Sequence, residues 1–141
     1  MRIDHGLTHV ALPVADVEAS LDFYGRFADM HVVHHRRDEQ TGDQVVWLSD
    51  RTRPFVIVLI QHDQPSGGLT GFSHLGVGCD SREEVDRRTQ TAQREGRTVR
   101  GPFDSGPPVG YWAFITDPDG NNLELSYGQE VGITVEEADG A

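Results

Sequence analysis

Two hydrophobic periods take turns along this chain. Residues 9–14 alternate in the manner of a half-buried strand, and Asp16 then opens a stretch in which Val17, Leu21, Tyr24 and Phe27 fall near one helical face. The Asp16 carboxylate can cap the free N–H groups of that helix. Strand-like segments follow at residues 30–35, 44–48 and 55–61. The order then repeats. An alternating run at residues 74–79 leads to Ser81 and Glu84, which have capping-box spacing, and to Val85, Thr89 and Ala92 on one helical face. Gly96 is placed to terminate that helix. Extended segments are expected near residues 98–100, 111–116 and 121–127, with Asp117-Pro118-Asp119-Gly120 as a turn between the last two. Both halves read β-α-β-β-β, which predicts an α+β protein of two βαβββ modules at residues 1–62 and 71–129. Residues 63–70 are polar and rich in turn formers and read as a linker. The acidic residues 130–141 lack clear periodicity and are expected to fray as a tail.

The repeat extends to candidate chemistry. Thr8-His9-Val10-Ala11 and Ser73-His74-Leu75-Gly76 each set a hydroxyl residue and a histidine at the head of the first strand of a module. Side chains alternate across a strand, so His9 shares its face with Ala11, and His74 with Gly76 and Gly78. On the last strand, Glu124 shares its face with Asn122, Ser126 and Gly128, while Leu123, Leu125 and Tyr127 point the other way. Each of the three pairs a metal-competent side chain with small or polar companions, which leaves room for a ligand. Two imidazoles and a carboxylate suit Zn, Fe(II), Mn, Ni or Co and leave coordination positions open. A lone histidine on a strand is more often an ordinary strand residue. The equivalent placement of His9 and His74 in matching modules is what favours a shared role.

Composition narrows the partners. The formal net charge is −11 and all 12 basic residues are arginine, so a phosphate backbone would be repelled and nucleic acid is not an expected partner. No apolar run reaches the roughly 20 residues of a membrane span, and residues 1–5 are too short and polar for a secretory signal. The single cysteine, Cys79, agrees with a reducing compartment, and the cytoplasm is the expected location.

Three stretches carry a resemblance to a known family. Leu7-Thr8-His9-Val10-Ala11-Leu12-Pro13-Val14-Ala15-Asp16 followed by Ser20-Leu21-Asp22-Phe23-Tyr24, then Ser73-His74-Leu75-Gly76, then Asp117-Pro118-Asp119-Gly120-Asn121-Asn122-Leu123-Glu124-Leu125, resemble the glyoxalase, bleomycin-resistance and extradiol-dioxygenase (vicinal oxygen chelate) superfamily over about residues 5–129. The resemblance implies paired βαβββ modules with curved mixed sheets around one divalent metal, ligated at the positions of His9, His74 and Glu124. It also implies a homodimer in which His9 comes from one subunit and His74 and Glu124 from the other, with closure within one chain as the alternative.

Subtype signals diverge. Glyoxalase I has a fourth, glutamate ligand at the position that aligns with Val58; Gln61 or His62 could replace it if the register were shifted. Extradiol dioxygenases add a tyrosine ten residues before the glutamate, where this chain has Phe114, and an upstream histidine that residues 103–111 lack. Fosfomycin-resistance transferases add basic residues for a phosphonate, and this chain has no lysine. Bleomycin-binding proteins are acidic but hold no metal. The first expectation is a metal-dependent lyase, isomerase or group-transfer enzyme that chelates adjacent oxygens of a small oxygenated molecule. A non-haem iron dioxygenase and a metal-free antibiotic-binding protein are the alternatives. His31, His34 and His35 read as surface residues, Tyr111 and Trp112 as core packing, and Gly101-Pro102 together with residues 106–110 as the brackets of an irregular loop that could form a lid.

Overall fold

In the computed structural model, which describes residues 2–65 and 68–138, the βαβββ order is built twice. Ser66 and Gly67 of the expected linker, residues 139–141 of the expected tail, and Met1 lie outside the described residues. The chain divides into two units, Met1–Gly68 and Leu69–Ala141.

The first unit runs β1 (His9–Val14), α1 (Val17–Ala28), β2 (His31–Arg37), β3 (Gln44–Ser49) and β4 (Val56–Gln61). Its sheet order is β1-β4-β3-β2, with β1 and β4 parallel and the other pairs antiparallel. Alternation decides what is buried. Leu12, Val14, Val46, Leu48, Ile57 and Leu59 are each 3% exposed or less, whereas Ala11, Trp47 and Ile60 on the opposite face are exposed. The Asp16 carboxylate accepts the Ala19 N–H at 3.1 Å and starts α1. The buried side of α1 is Val17, Ser20, Phe23, Tyr24, Phe27 and Ala28. Leu21 is only half-buried, because the face centres on the Phe23–Tyr24–Phe27 cluster, whose rings lie 4.9–5.0 Å apart.

The second unit runs β5 (His74–Gly78), α2 (Arg82–Arg94), β6 (Val99–Asp104), β7 (Tyr111–Thr116) and β8 (Asn122–Tyr127), followed by α3 (Val131–Ala138). Its sheet order, β5-β8-β7-β6, again makes the first and last strands parallel. Val85, Thr89 and Ala92 of α2 are buried, as the periodicity predicts. Ser81 accepts the Glu84 N–H at 3.1 Å, but the Glu84 carboxylate pairs with Arg87 and Arg88 instead of closing the capping box.

Three local expectations change. Residues 131–138 form helix α3, though none of its side chains is buried. Gly101-Pro102 lies inside β6 at a register shift, so the strand resumes through Phe103↔Trp112 and Asp104↔Tyr111. The irregular loop therefore shrinks to a tight hairpin connection, in which Ser105 N–H bonds the Gly110 carbonyl at 2.9 Å, and not to a lid. Trp112 is half-exposed on the sheet face away from α2. Tyr111 instead donates its hydroxyl to Asp86 on α2 at 2.5 Å and lies under the Arg82 guanidinium at 4.6 Å. Among the described residues, no helix is long and apolar enough to cross a membrane.

The assignment of faces can be checked on adjacent residues of β4. Leu59→Ala should cost about 2–5 kcal/mol in urea unfolding, since it empties a fully buried site. Val58→Ala, on the open face, should cost roughly 1 kcal/mol or less. Equal losses would mean that both faces of this sheet are core.

Candidate metal-binding site

The site is built on β5 and β8 of the second unit. Their parallel register sets His74 beside Asn122, Gly76 beside Glu124 and Gly78 beside Ser126. Leu123 and Leu125 are fully buried on the opposite face of β8, and this fixes Glu124 on the side away from α2. His74 Nε2 and Glu124 Oε2 stand 3.7 Å apart. The glutamate is 7% exposed, and burial pushes its carboxyl above the ordinary carboxylate range. The nearby His74 and a hydrogen bond from Gln129 only partly oppose that shift.

The turn before β8 positions both side chains. One Asp117 carboxylate oxygen accepts the N–H groups of Asp119 and Asn121, each at 2.8 Å. Asn121 then accepts the Leu69 N–H at 2.8 Å. Asn122 donates to the carbonyls of Gly71 and Ser73 at 2.9 and 3.1 Å. The segment leading into β5 is thereby tied to the head of β8. His74 Nδ1 lies 2.6 Å from the Phe72 carbonyl oxygen. A carbonyl only accepts, so Nδ1 donates here and Nε2 is the ring nitrogen left to face Glu124. Phe114 packs on the imidazole with ring centroids 4.6 Å apart, and the Arg100 guanidinium lies 4.6 Å from the centre of the Phe114 ring. Trp112 continues the aromatic surface, 5.3 Å from Phe114 and 5.0 Å from Phe103.

His74 Nε2 and Glu124 Oε2, 3.7 Å apart, can form an ion pair or share a bound cation. Metal–nitrogen and metal–oxygen bonds of roughly 2.0–2.2 Å can together span up to about 4.2 Å. The pair therefore fits a divalent ion, and the Nδ1–H···O=C bond is the kind of support that metal-bound histidines use.

His9 stands at the equivalent position of the first unit. It pairs with Val56 as His74 pairs with Asn122, and its Nδ1 shares a 2.9 Å hydrogen bond with the Thr8 hydroxyl. The position matching Glu124 is Val58, which pairs with Ala11 as Glu124 pairs with Gly76. Gln61 and His62 lie roughly 17 Å or more along the chain from Val56. They are engaged there, Gln61 accepting the Gln44 N–H and His62 the Gln64 N–H. Among the described residues, no three His, Cys, Asp or Glu side chains form one metal-competent group. The structure thus brings His74 and Glu124 together and sets His9 on the matching strand of the other unit. Arg100 and Gln129 were not singled out from the sequence. Strand alternation could have flagged Arg100, but nothing local marks Gln129.

The model of the Glyoxalase/Bleomycin resistance protein/Dioxygenase superfamily matches residues 6–125. The chain is similar to an uncharacterized protein of Pseudomonas aeruginosa, 38% identical over 129 residues that cover 89% of this chain and 91% of that one. It is also similar to a lactoylglutathione lyase of Neisseria meningitidis, 32% identical over 126 residues and covering 84% and 88%. Among solved structures it is similar to a point mutant of the fosfomycin resistance protein FosX of Listeria monocytogenes, complexed with Mn(II) and a dihydroxypropylphosphonic acid. That match has a TM-score of 0.71 at 18% identity and covers 94% of this chain and 99% of that one.

Gly76 gives a direct test of the pair. A Cβ at this position would lie 3.2 Å from Glu124 Oε2, so Gly76→Ala makes the carboxylate give way by a few tenths of an ångström. The variant should bind divalent metal roughly 10-fold more weakly in competition with a chelating dye, with unchanged circular dichroism. Unaltered affinity would remove Glu124 from the site.

Proposed function

The chain belongs to the Glyoxalase/Bleomycin resistance protein/Dioxygenase superfamily, and on that premise we propose that it is a metal-dependent enzyme acting on a small oxygenated substrate, with His9, His74 and Glu124 as the protein ligands. The observation that carries the reading is the buried Glu124 carboxylate facing Nε2 of His74 at 3.7 Å. His9 supplies the third ligand by its equivalence to His74 in strand position and register. His9, His74 and Glu124 would hold a divalent ion, and that ion would supply the Lewis acidity used by a lyase, an isomerase or a group-transfer enzyme.

The chain's own groups prepare that chemistry. The Phe72 carbonyl keeps His74 in the tautomer that can ligate, and Phe114 restrains the ring. Gly76 makes room for the Glu124 carboxylate, and Gly78 leaves open space beside it for a substrate. Val58 supports a set of three protein ligands, since no carboxylate occupies the first-unit position that matches Glu124. It also withholds a base at that point. Phe114 carries no hydroxyl to donate or accept a proton, which weighs against the dioxygenase alternative. The Mn(II) bound by the Listeria protein supports a hard or borderline divalent ion, of which Zn, Mn, Ni, Co and Fe are the candidates.

His9→Ala, His74→Ala and Glu124→Ala should each lower metal content sharply while circular dichroism stays unchanged. Equal metal in the wild type and all three variants would sink the site. Elemental analysis of protein purified without added metal separates the alternatives: zinc, nickel or manganese for this reading, iron for an oxygenase, none for a drug-binding protein. We further propose a homodimer whose sites take His9 from one subunit and His74 with Glu124 from the other. Mixing His9→Ala with Glu124→Ala protein should then restore one of the two sites of each heterodimer, about a quarter of all sites after statistical exchange, because both lesions can fall in one shared site. No recovery after proven subunit exchange would refute the shared arrangement.

A further inference from the structure

The first unit contains a pocket that the metal ligands alone do not explain. It lies on the sheet face opposite α1 and has a volume of ≈ 390 Å³. Trp47 of β3, Val33 at the β2 register shift and Val56 of β4 give it an apolar floor. Phe55 and Arg53 of the β3–β4 connection line it as well, and so does His9. A volume of this size suits a molecule of one or two rings.

Trp47 is the feature that selects a flat ligand. By register it corresponds to Phe114 of the second unit, since Trp47 pairs with Val58 as Phe114 pairs with Glu124. Phe114 is 5% exposed, whereas Trp47 is 37% exposed and faces the pocket. The His34 ring holds it from one side, with centroids 4.8 Å apart, and the Arg36 guanidinium lies 6.0 Å from its ring. A large aromatic surface is thus kept in place and left open to a partner.

Arg53 is the feature that selects charge. The loop that carries it is tied down by its own hydrogen bonds. Ser49 Oγ accepts the Arg51 N–H at 2.9 Å, and Asp50 accepts from both the N–H and the hydroxyl of Thr52. Arg26, Arg82, Arg87, Arg88 and Arg97 each pair with a carboxylate, but among the described residues the Arg53 guanidinium makes no ion pair or hydrogen bond. Asp4 also lines the pocket and acts in the opposite sense. It precedes β1 on a segment without strand or helix, whereas Arg53 sits on a braced loop with a fork of donors that matches a carboxylate. The net charge of −11 does not decide the matter, because screening over roughly 8 Å leaves local contacts in control.

We propose that this pocket binds an aromatic carboxylate, with its ring on Trp47 and its carboxylate on Arg53. This names the substrate class of the enzyme. In directing the remaining oxygens of that molecule toward His9 it rests on the metal-dependent reading above, while the pocket itself stands without it.

The test uses full-length protein treated with a chelator, so that binding is read without metal. The chain has two tryptophans, so a Trp112→Phe background leaves Trp47 as the fluorescent reporter. Phenylacetate, benzyl alcohol and benzylamine serve as anionic, neutral and cationic probes, followed by fluorescence and by calorimetry. Phenylacetate should bind saturably and at least about tenfold more tightly than either other probe. Arg53→Gln should erase that preference, and Trp47→Leu should abolish the calorimetric signal, both with unchanged circular dichroism. Benzylamine binding as tightly as phenylacetate, an unaffected Arg53→Gln, or no saturable binding by folded protein would each overturn the proposal. Metal content is measured on the same preparations before chelation. Phenylacetate binding in a protein that takes up no metal would leave the pocket and remove the metal reading. Normal metal uptake without phenylacetate binding would do the reverse.

Discussion

Parallel pairing between the first and last strands of each unit is the constraint on which the site depends. In the second unit it sets Gly76 beside Glu124 and His74 beside Asn122; in the first it sets Ala11 beside Val58 and His9 beside Val56. Side chains alternate with a period of two, so a slip of one residue would send Glu124 under α2 and bring Leu123 and Leu125 to the open face. Both leucines are fully buried, and exposing them would lose roughly 2–3 kcal/mol apiece. The bonds from Asn121 and Asn122 to residues 69, 71 and 73 resist the same slip from the end of the strand. The approach of His74 to Glu124 is therefore secured by apolar packing on the far side of the sheet.

The same logic explains what could be read from the sequence. Elements with an unbroken period were legible, among them β7, the buried face of α2, the Asp117–Gly120 turn and the faces of β5 and β8. Period breaks are harder to read, and in β6 the reading failed. The register shift after Val32 and the one between Arg100 and Phe103 each add backbone that no alternation rule counts. That is why β6 looked like a three-residue strand beside an irregular loop. Gly101 permits this turn of β6, with φ at +96° and a missing Cβ that would meet the Phe103 ring at 3.0 Å. Helix α3 was missed for a different reason. Its valines and isoleucine are exposed, so it shows none of the one-sided burial that makes a helix visible in sequence.

His74 and Glu124 were legible as candidates because small neighbours mark an open face. Their separation, the restraint of the imidazole by Phe72 and Phe114, and the contribution of Gln129 were not. Those depend on register and on loops, which composition does not encode. The hydroxyl residue before each histidine proved an uneven guide. Thr8 contacts the His9 ring, but in the second unit a backbone carbonyl takes that part and the Ser73 carbonyl instead accepts from Asn122.

Comparing matched positions shows how differently the two units furnish the same face. Glu124, Phe114 and Arg100 of the second unit correspond by register to Val58, Trp47 and His34 of the first. One face thus holds a buried acid under an aromatic and cationic layer, and the other holds an apolar floor with an exposed indole. A buried carboxylate is costly unless a cation or strong donors compensate it. Nothing in the packing of β8 requires an acid there, since Val58 fills the matching place with an apolar side chain. Keeping Glu124 ionised works against burial, and the two groups that oppose the shift, His74 and Gln129, do so only in part. A cation shared by Glu124 and His74 Nε2, 3.7 Å apart, would supply such compensation. The matching face of the first unit holds Val58 in place of the acid, beside the exposed Trp47 indole.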